Sequence, residues 1–136
     1  MRPNLMLQRV FLSTALAAVL MVVAACGSRS GQARPRSTAA LSIIEPSPGT
    51  VASATKVRIR LKLDGGRVVV QTSSTLTPDE GHIHLTLNGT VSSMTFGLDQ
   101  EIAVGKGPQL LQAEFVALDH LPFDPRIIAT VTFVVR

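Results

Sequence analysis

The chain has 136 residues and a formal net charge of +4 at pH 7, from 13 Lys and Arg against 9 Asp and Glu. The positive charge is concentrated near the N-terminus, because all nine acidic residues and only eight of the basic ones lie in residues 41–136. That part is therefore near −1 and lacks the basic surface that nucleic-acid binding requires, so nucleic acid is excluded as a partner. The single cysteine also excludes an intrachain disulfide.

The first 25 residues have the three parts of a secretory signal peptide. Arg2 and Arg9 supply a positively charged start, and residues 10–23 are apolar apart from Ser13 and Thr14. Small residues follow, as they do before a signal-peptidase site. The pattern predicts export across a membrane and removal of residues 1–25.

The small residues run directly into a cysteine, in the sequence Val23-Ala24-Ala25-Cys26. This sequence resembles the lipobox of bacterial lipoproteins, which implies that the Cys26 thiol takes a diacylglycerol and that Cys26 becomes the first residue of the mature protein. An uncleaved transmembrane helix is the alternative, but residues 10–25 fall short of the roughly 20 that cross a bilayer. We therefore expect lipid anchoring on the extracytoplasmic face of the cell membrane.

Residues 26–40 are predicted to be the lipidated cysteine and a flexible basic tether, because they are rich in Gly, Ser, Ala and Arg. Arg29, Arg34 and Arg36 are expected near anionic head groups, where each adds about 1 kcal/mol of attraction. The folded domain is predicted to span residues 41–136, a length sufficient for one hydrophobic core.

Residues 41–136 show the alternation of β-strands and no helical period. The clearest case is residues 57–63, where four aliphatic residues alternate with three basic ones, which predicts a half-buried strand. Asn88-Gly89 between two extended runs predicts a two-residue hairpin turn, which would place His84 opposite Ser93 and His82 opposite Thr95. Extended segments are predicted at residues 41–44, 57–63, 67–72, 81–87, 90–96, 110–118 and 127–135.

Six or seven short strands separated by turn residues predict an antiparallel β-sandwich. The string IIEPSPGTVASATKVRIRLKL, which begins at Ile43, resembles the opening of bacterial Ig-like domains. GHIHLTLNG and AEFVALDHLPFDPR are similar to segments of small bacterial lipoproteins with an Ig-like domain and a Gly-His-x-His hairpin. The resemblance implies an all-β, Ig-like fold over most of residues 43–135, without the paired cysteines and core tryptophan of antibody domains.

All three histidines fall in two short segments, Gly-His-Ile-His-Leu and Asp-His-Leu-Pro. His82 and His84 share one face of a strand because side chains alternate along it, and this face is expected to be exposed and polar. In the strand at residues 110–118, the same alternation places Phe115 inward and Glu114 outward. Neighbouring strands would bring His82, His84 and Glu114 together, with His120 near one end.

Two imidazoles and a carboxylate form a ligand set for copper or zinc, so His82, His84, His120 and Glu114 are a candidate metal site. The alternative is that the histidines only make hydrogen bonds. No catalytic motif stands out: Gly105-Lys106-Gly107-Pro108 precedes a strand rather than a helix, and the adjacent carboxylates Asp79 and Glu80 are expected to be solvated in a loop.

Two functions remain open from the sequence. The first is a non-catalytic, lipid-anchored Ig-like module that binds another envelope component through a sheet face or loop end. The second is a copper- or zinc-binding lipoprotein that uses the histidines. A third possibility, an enzyme, has no catalytic residues to support it.

Overall fold

The structure is a computed structural model, and it describes residues 33–53 and 55–136. The predicted signal peptide and Cys26 lie outside the described residues. A compact unit spans Arg34–Arg136. It begins seven residues before the predicted start at Leu41, because the segment from Arg34 onward is bonded to the β-sheets.

The unit is built from strands joined by turns. In chain order they are β1 (Ala40–Glu45), β2 (Val51–Ala52), β3 (Lys56–Asp64), β4 (Arg67–Val68), β5 (Glu80–Leu87), β6 (Thr90–Thr95), β7 (Asp99–Ala103), β8 (Gly107–Ala117) and β9 (Pro122–Val135). No helix in the described part of the chain is long and apolar enough to cross a membrane.

The strands form two sheets. One has the order β1-β3-β7 and is antiparallel throughout. The other has the order β2-β9-β8-β5-β4, and β6 also pairs with β5. Seven of the strands have five or more residues, and the two-residue β2 and β4 make short parallel pairs at the sheet margins. The predicted antiparallel Ig-like β-sandwich of about seven strands is confirmed.

The core lies between the sheets, because both contribute alternate residues to one buried cluster. In β3 the burial alternates with the pattern that the sequence predicts, and the basic residues between the aliphatic ones point to solvent. Phe115, two residues before the end of β8, is fully buried and stacks on Phe123, with ring centroids 5.2 Å apart. The fully buried aliphatic residues of this core include Ile59, Ile83, Leu85 and Leu111.

The predicted pairing across the β5–β6 hairpin is wrong by one residue beyond its first two pairs. Leu87 pairs with Thr90 as the two-residue turn requires, but a bulge between Leu85 and Thr86 shifts the rest of the register. His84 therefore lies opposite Met94 instead of Ser93. The extra residue in β6 turns an apolar side chain onto the face that the sequence predicted to be polar.

Other strand limits also differ from the predictions. Strand β7 was not predicted, since its residues Asp99–Ala103 contain three polar side chains and pair at the edge of the small sheet. Of the segment predicted as extended at residues 67–72, only Arg67–Val68 pairs with another strand. Strand β9 begins at Pro122, five residues before the extended segment predicted at residues 127–135.

The segment at residues 34–39 is bonded to one end of the sandwich and is not a free tether. The Arg34 guanidinium makes a two-point ion pair with Asp119, with N–O distances of 2.6 and 2.9 Å, and donates to the carbonyl oxygens of Leu121 and Pro122. The Asp124 amide donates to the Pro35 carbonyl at 3.1 Å. The Arg34 charge, which was expected near lipid head groups, is paired with Asp119 in the folded unit.

Candidate binding face

Strand β5 carries His82 and His84 to the outer face of the large sheet. Ile83 and Leu85, the alternate residues, are fully buried between the sheets, as a strand with one core-facing side requires. In the register with β8, His82 lies opposite Val116 and His84 opposite Glu114, so the expected neighbour relation between these strands holds.

His120 reaches the same face from the turn between β8 and β9. Its backbone has a positive φ of 63°, and its amide donates to the Ala117 carbonyl at 2.9 Å. A positive φ at a residue other than glycine usually marks a tight turn, and here it points the chain back over the sheet. The turn brings the third imidazole onto the two from β5.

The three imidazoles form one group, called here the histidine cluster: His82, His84 and His120. His84 Nε2 and His120 Nδ1 are 3.0 Å apart, a hydrogen-bond distance. The ring centroids of His82 and His120 are 4.3 Å apart, and those of the stacked His84 and His120 rings are 5.3 Å apart. One nitrogen of the His84–His120 pair must donate and the other must accept, so at least one of these rings is neutral.

His82 is fully buried, which corrects the expectation of an exposed histidine. Its ring lies against His120 on one side, and the edge of the Phe96 ring approaches it at a centroid distance of 5.0 Å. His82 Nε2 is 3.2 Å from the Gln71 carbonyl oxygen, while Nδ1 is buried with no hydrogen-bond partner among the described residues. The segment after β4 and the β8–β9 turn thus cover a residue that strand alternation alone would expose.

Burial favours the neutral forms of His82 and His84. Their pKa values are both lowered from 6.5, chiefly because burial disfavours the charged imidazolium. The neighbouring His120 lowers both further by charge repulsion, whereas the Gln71 carbonyl acts in the opposite direction on His82 and Glu114 does so on His84. At neutral pH His82 and His84 therefore offer neutral imidazole nitrogens.

Glu114 lies beside His84 but is bonded to another residue. Its two carboxylate oxygens accept from Arg126 at 2.7 and 2.6 Å, and its side chain is only 10% exposed. The ion pair explains how an outward-facing carboxylate becomes buried. Within the described residues there is no group of three or more His, Cys, Asp or Glu arranged to hold a metal ion.

Exposed apolar side chains lie beside the histidine cluster, and we call them the apolar rim: Met94, Phe96 and Ile128. Their exposed fractions are 58%, 42% and 39%. Met94 pairs with His84 across β6, Phe96 contacts the His82 ring, and Ile128 pairs with Glu114 across β9. The cluster and the rim together are called the histidine face.

Sequence reasoning found the three histidines but missed the rim. Phe96 ends the extended segment predicted at residues 90–96, and alternation did not place its ring, which is 42% exposed and contacts His82. Met94 could have been placed correctly only by locating the bulge in β6, for which the short polar run Ser92-Ser93 gives no clear signal. The rim depends on register and turn geometry, which alternation does not supply.

The carboxylates of Asp79, just before β5, and of Glu80, its first residue, are not simply solvated. Asp79 Oδ1 accepts from the Ser37 hydroxyl at 2.5 Å and from the Thr38 amide at 2.7 Å, and Glu80 bonds Arg67 and Thr77. These bonds lower the pKa of both carboxyl groups, mainly through Ser37 for Asp79 and through Arg67 for Glu80. Both groups hold segments of the chain in place.

Comparison with known proteins gives no family assignment. No family model and no curated protein matches the chain. Among solved structures, the fibronectin(III)-like modules of Clostridium thermocellum CbhA are similar, with 13% identity, a TM-score of 0.46, and coverage of 71% of this chain and 95% of theirs. An engineered protein is similar with 11% identity and a TM-score of 0.47, and the match spans 72% of this chain but only 20% of that one.

Proposed function

We propose that this protein is a non-catalytic, lipid-anchored module of the cell envelope that binds a partner through the histidine face. The observation that carries the proposal is the grouping of three exposed apolar side chains beside the histidine cluster. Single apolar residues are normal on a protein surface, whereas several grouped about polar side chains are typical of an interaction site.

The chemistry of the face favours a partner with an apolar surface and hydrogen-bonding groups. Met94 and Phe96 provide the large, adaptable side chains that are enriched at the centre of interfaces. Half-buried His84 can exchange its bond to His120 for one to a partner group. A partner that covers the rim would also shield this polar centre from water and strengthen such a bond.

The ion pairs next to the face support a binding role over a catalytic one. Glu114 is paired with Arg126, and Asp119 with Arg34. A carboxylate held by a guanidinium has a lowered proton affinity and is a poor general base; accordingly, the pKa of Asp119 is lowered, mainly by its hydrogen bonds from Arg34. The imidazoles thus lack the free carboxylate that orients a catalytic histidine in hydrolytic triads.

A photo-cross-linking amino acid at Met94 in the full-length, membrane-anchored protein tests the proposed face. A matched control is the same amino acid at Ile44, which is 40% exposed on β1 in the opposite sheet. We expect a discrete cross-linked product from position 94 in intact cells and none from position 44. Equal products at the two positions, or none at position 94, would contradict binding through this face.

Anchoring through Cys26 is part of the same proposal, and it predicts the result of Cys26→Ser. Acylation requires the thiol, so the variant should lose lipid labelling and should accumulate as a soluble protein or an uncleaved precursor. Radiolabelled fatty acid incorporation and membrane fractionation measure this. Unchanged lipid labelling in the variant would remove Cys26 as the lipidated residue.

Metal binding is the second candidate, and the 3.0 Å separation of His84 Nε2 and His120 Nδ1 favours it. An ion about 2.0–2.1 Å from each nitrogen could replace the hydrogen bond between them. His82, whose buried Nδ1 has no hydrogen-bond partner among the described residues, is the candidate for a third ligand. Copper and zinc both accept neutral imidazole.

Calorimetric titration with copper and zinc separates the two candidates. A shared site predicts that His84→Ala and His120→Ala each remove most of the affinity and the associated rise in thermal midpoint. Glu114→Gln should change the affinity little, because Arg126 already occupies that carboxylate. Binding that persists in His120→Ala would reduce the metal to an incidental surface ligand and leave the interaction module as the function.

A further inference from the structure

The point at which the chain joins the sandwich determines which end of the domain lies near its anchor. Arg34 is bonded to Asp119 and to the Leu121 and Pro122 carbonyls, and Pro35 accepts from the Asp124 amide. All of these groups belong to the end of the large sheet where β8 stops and β9 begins. The polypeptide that leads from Arg34 back to Cys26 therefore leaves the domain beside the β8–β9 turn.

The chain between the proposed anchor and this end is short. Seven residues lie between Cys26 and Arg34, and the eight Cα–Cα steps of a fully extended chain span at most about 26–29 Å. Strand β8 alone, with 11 residues, is about 34 Å long at the rise of an extended strand. While Arg34 stays bonded to Asp119, the sandwich therefore cannot stand upright with its opposite end on the bilayer.

The end that the chain holds near the bilayer carries an exposed apolar side chain at its tip. Leu121 is 54% exposed in the β8–β9 turn, although its neighbours Pro122 and Phe123 are progressively more buried. The two charges closest to it, on Arg34 and Asp119, neutralise each other in a two-point ion pair. The tip thus presents apolar surface with little net charge, which is suited to the interfacial region of a lipid layer.

We infer that the β8–β9 turn, through Leu121, contacts the lipid surface to which Cys26 is attached. This inference rests on the proposed anchoring at Cys26, and it adds an orientation: the histidine face stands upright beside the membrane, with His120 near the lipid and Met94 farther from it. The contact is apolar, so it does not depend on anionic lipid. A partner of the histidine face must accordingly be reachable within a few nanometres of the bilayer.

The absence of tryptophan from the whole sequence gives a direct test. Leu121→Trp and Leu110→Trp each place a single tryptophan at a similarly exposed site, since Leu110 is 48% exposed and lies about 24 Å farther along β8 from its Ala117 end. The full chain is produced in a bacterial host, extracted from its membranes, and reconstituted into phosphatidylcholine vesicles with and without brominated acyl chains.

Bromine on the acyl chains quenches the fluorescence only of a tryptophan that approaches those chains. Because interfacial side chains enter the lipid by about 5–10 Å, we expect at least about threefold stronger quenching of Leu121→Trp than of Leu110→Trp. Equal quenching, or stronger quenching at position 110, would overturn the orientation. Mass measurement of the same preparation reads acylation of Cys26 independently, so a failure of anchoring is distinguished from a failure of orientation.

Discussion

Phe115→Ala should lower the free energy of unfolding by about 3–5 kcal/mol, the cost of deleting a buried aromatic ring. The ring is fully buried near the C-terminal end of β8 and stacks on Phe123, so the substitution leaves a cavity between the two sheets. A domain of this size has about 5–15 kcal/mol of stability in total. With no disulfide to limit the unfolded state, the variant should be marginally folded.

Phe96→Ala is the matched control, because Phe96 is the same residue type with 42% of its surface exposed. Its substitution removes contact with His82 but opens no cavity in the core, so we expect a loss of about 1 kcal/mol or less. Denaturant unfolding followed by circular dichroism compares the two variants. Similar midpoints for both would show that the face of β8 assigned to the core is wrong.

Gly81→Ala should lower the free energy of unfolding at least as much as Phe115→Ala does, for a different physical reason. A Cβ added at Gly81 would lie 1.8 Å from the carbonyl oxygen of Val116 and 2.9 Å from its carbonyl carbon. These are backbone atoms of the neighbouring strand β8, so no side-chain rotation can relieve the clash. We expect a loss of more than about 3 kcal/mol, above the usual range for overpacking, or failure to fold.

Gly105→Ala provides the comparison for the loss of a glycine. Nothing lies within 4 Å of an added Cβ at Gly105, and its backbone is not in the left-handed region. This substitution should leave stability unchanged or raise it by up to about 1 kcal/mol, by restricting the unfolded chain. Thermal unfolding measures both variants, and a Gly81→Ala protein as stable as the parent would disprove the close approach of β5 and β8.

The fold was predictable where one side of a strand is apolar. Val57, Ile59 and Leu61 are buried and the basic residues between them are exposed, because period-two alternation reports directly on a sheet with one core-facing side. Phe115 was assigned to the core for the same reason. Strand β7 has a single buried aliphatic residue, Ile102, and is fixed by pairing with β3, so its own sequence carries little signal.

The candidate site was only partly predictable, since it depends on contacts between distant segments. Alternation identified the outer face on which His82 and His84 lie, but it could not show that Gln71 and the His120 turn cover His82. Composition suggested that Arg34 belongs to a free basic tether, whereas Asp119 binds it 85 residues away in the sequence. Contacts between segments so far apart in sequence depend on the tertiary structure, which strand alternation does not predict.

Proton titration of the histidines, followed by NMR of the imidazole nitrogens, tests most directly whether His82, His84 and His120 form one cluster. The folded pKa values of His82 and His84 lie below 6.5. At pH values between 6.5 and these folded pKa values, the unfolded chain therefore binds more protons than the folded state does. Lowering the pH through this window should therefore reduce the free energy of unfolding, and above pH 6.5 the contribution should vanish.

The variant His120→Asn makes the titration decisive. Asparagine tolerates the positive φ of this turn, so the backbone should be preserved while the third imidazole is removed. The account predicts that His82 and His84 titrate below 6.5 in the parent and that both values rise in the variant, as the repulsion from His120 is lost. Titration of His82 and His84 at ordinary values, unchanged by His120→Asn, would contradict the cluster and the binding face built on it.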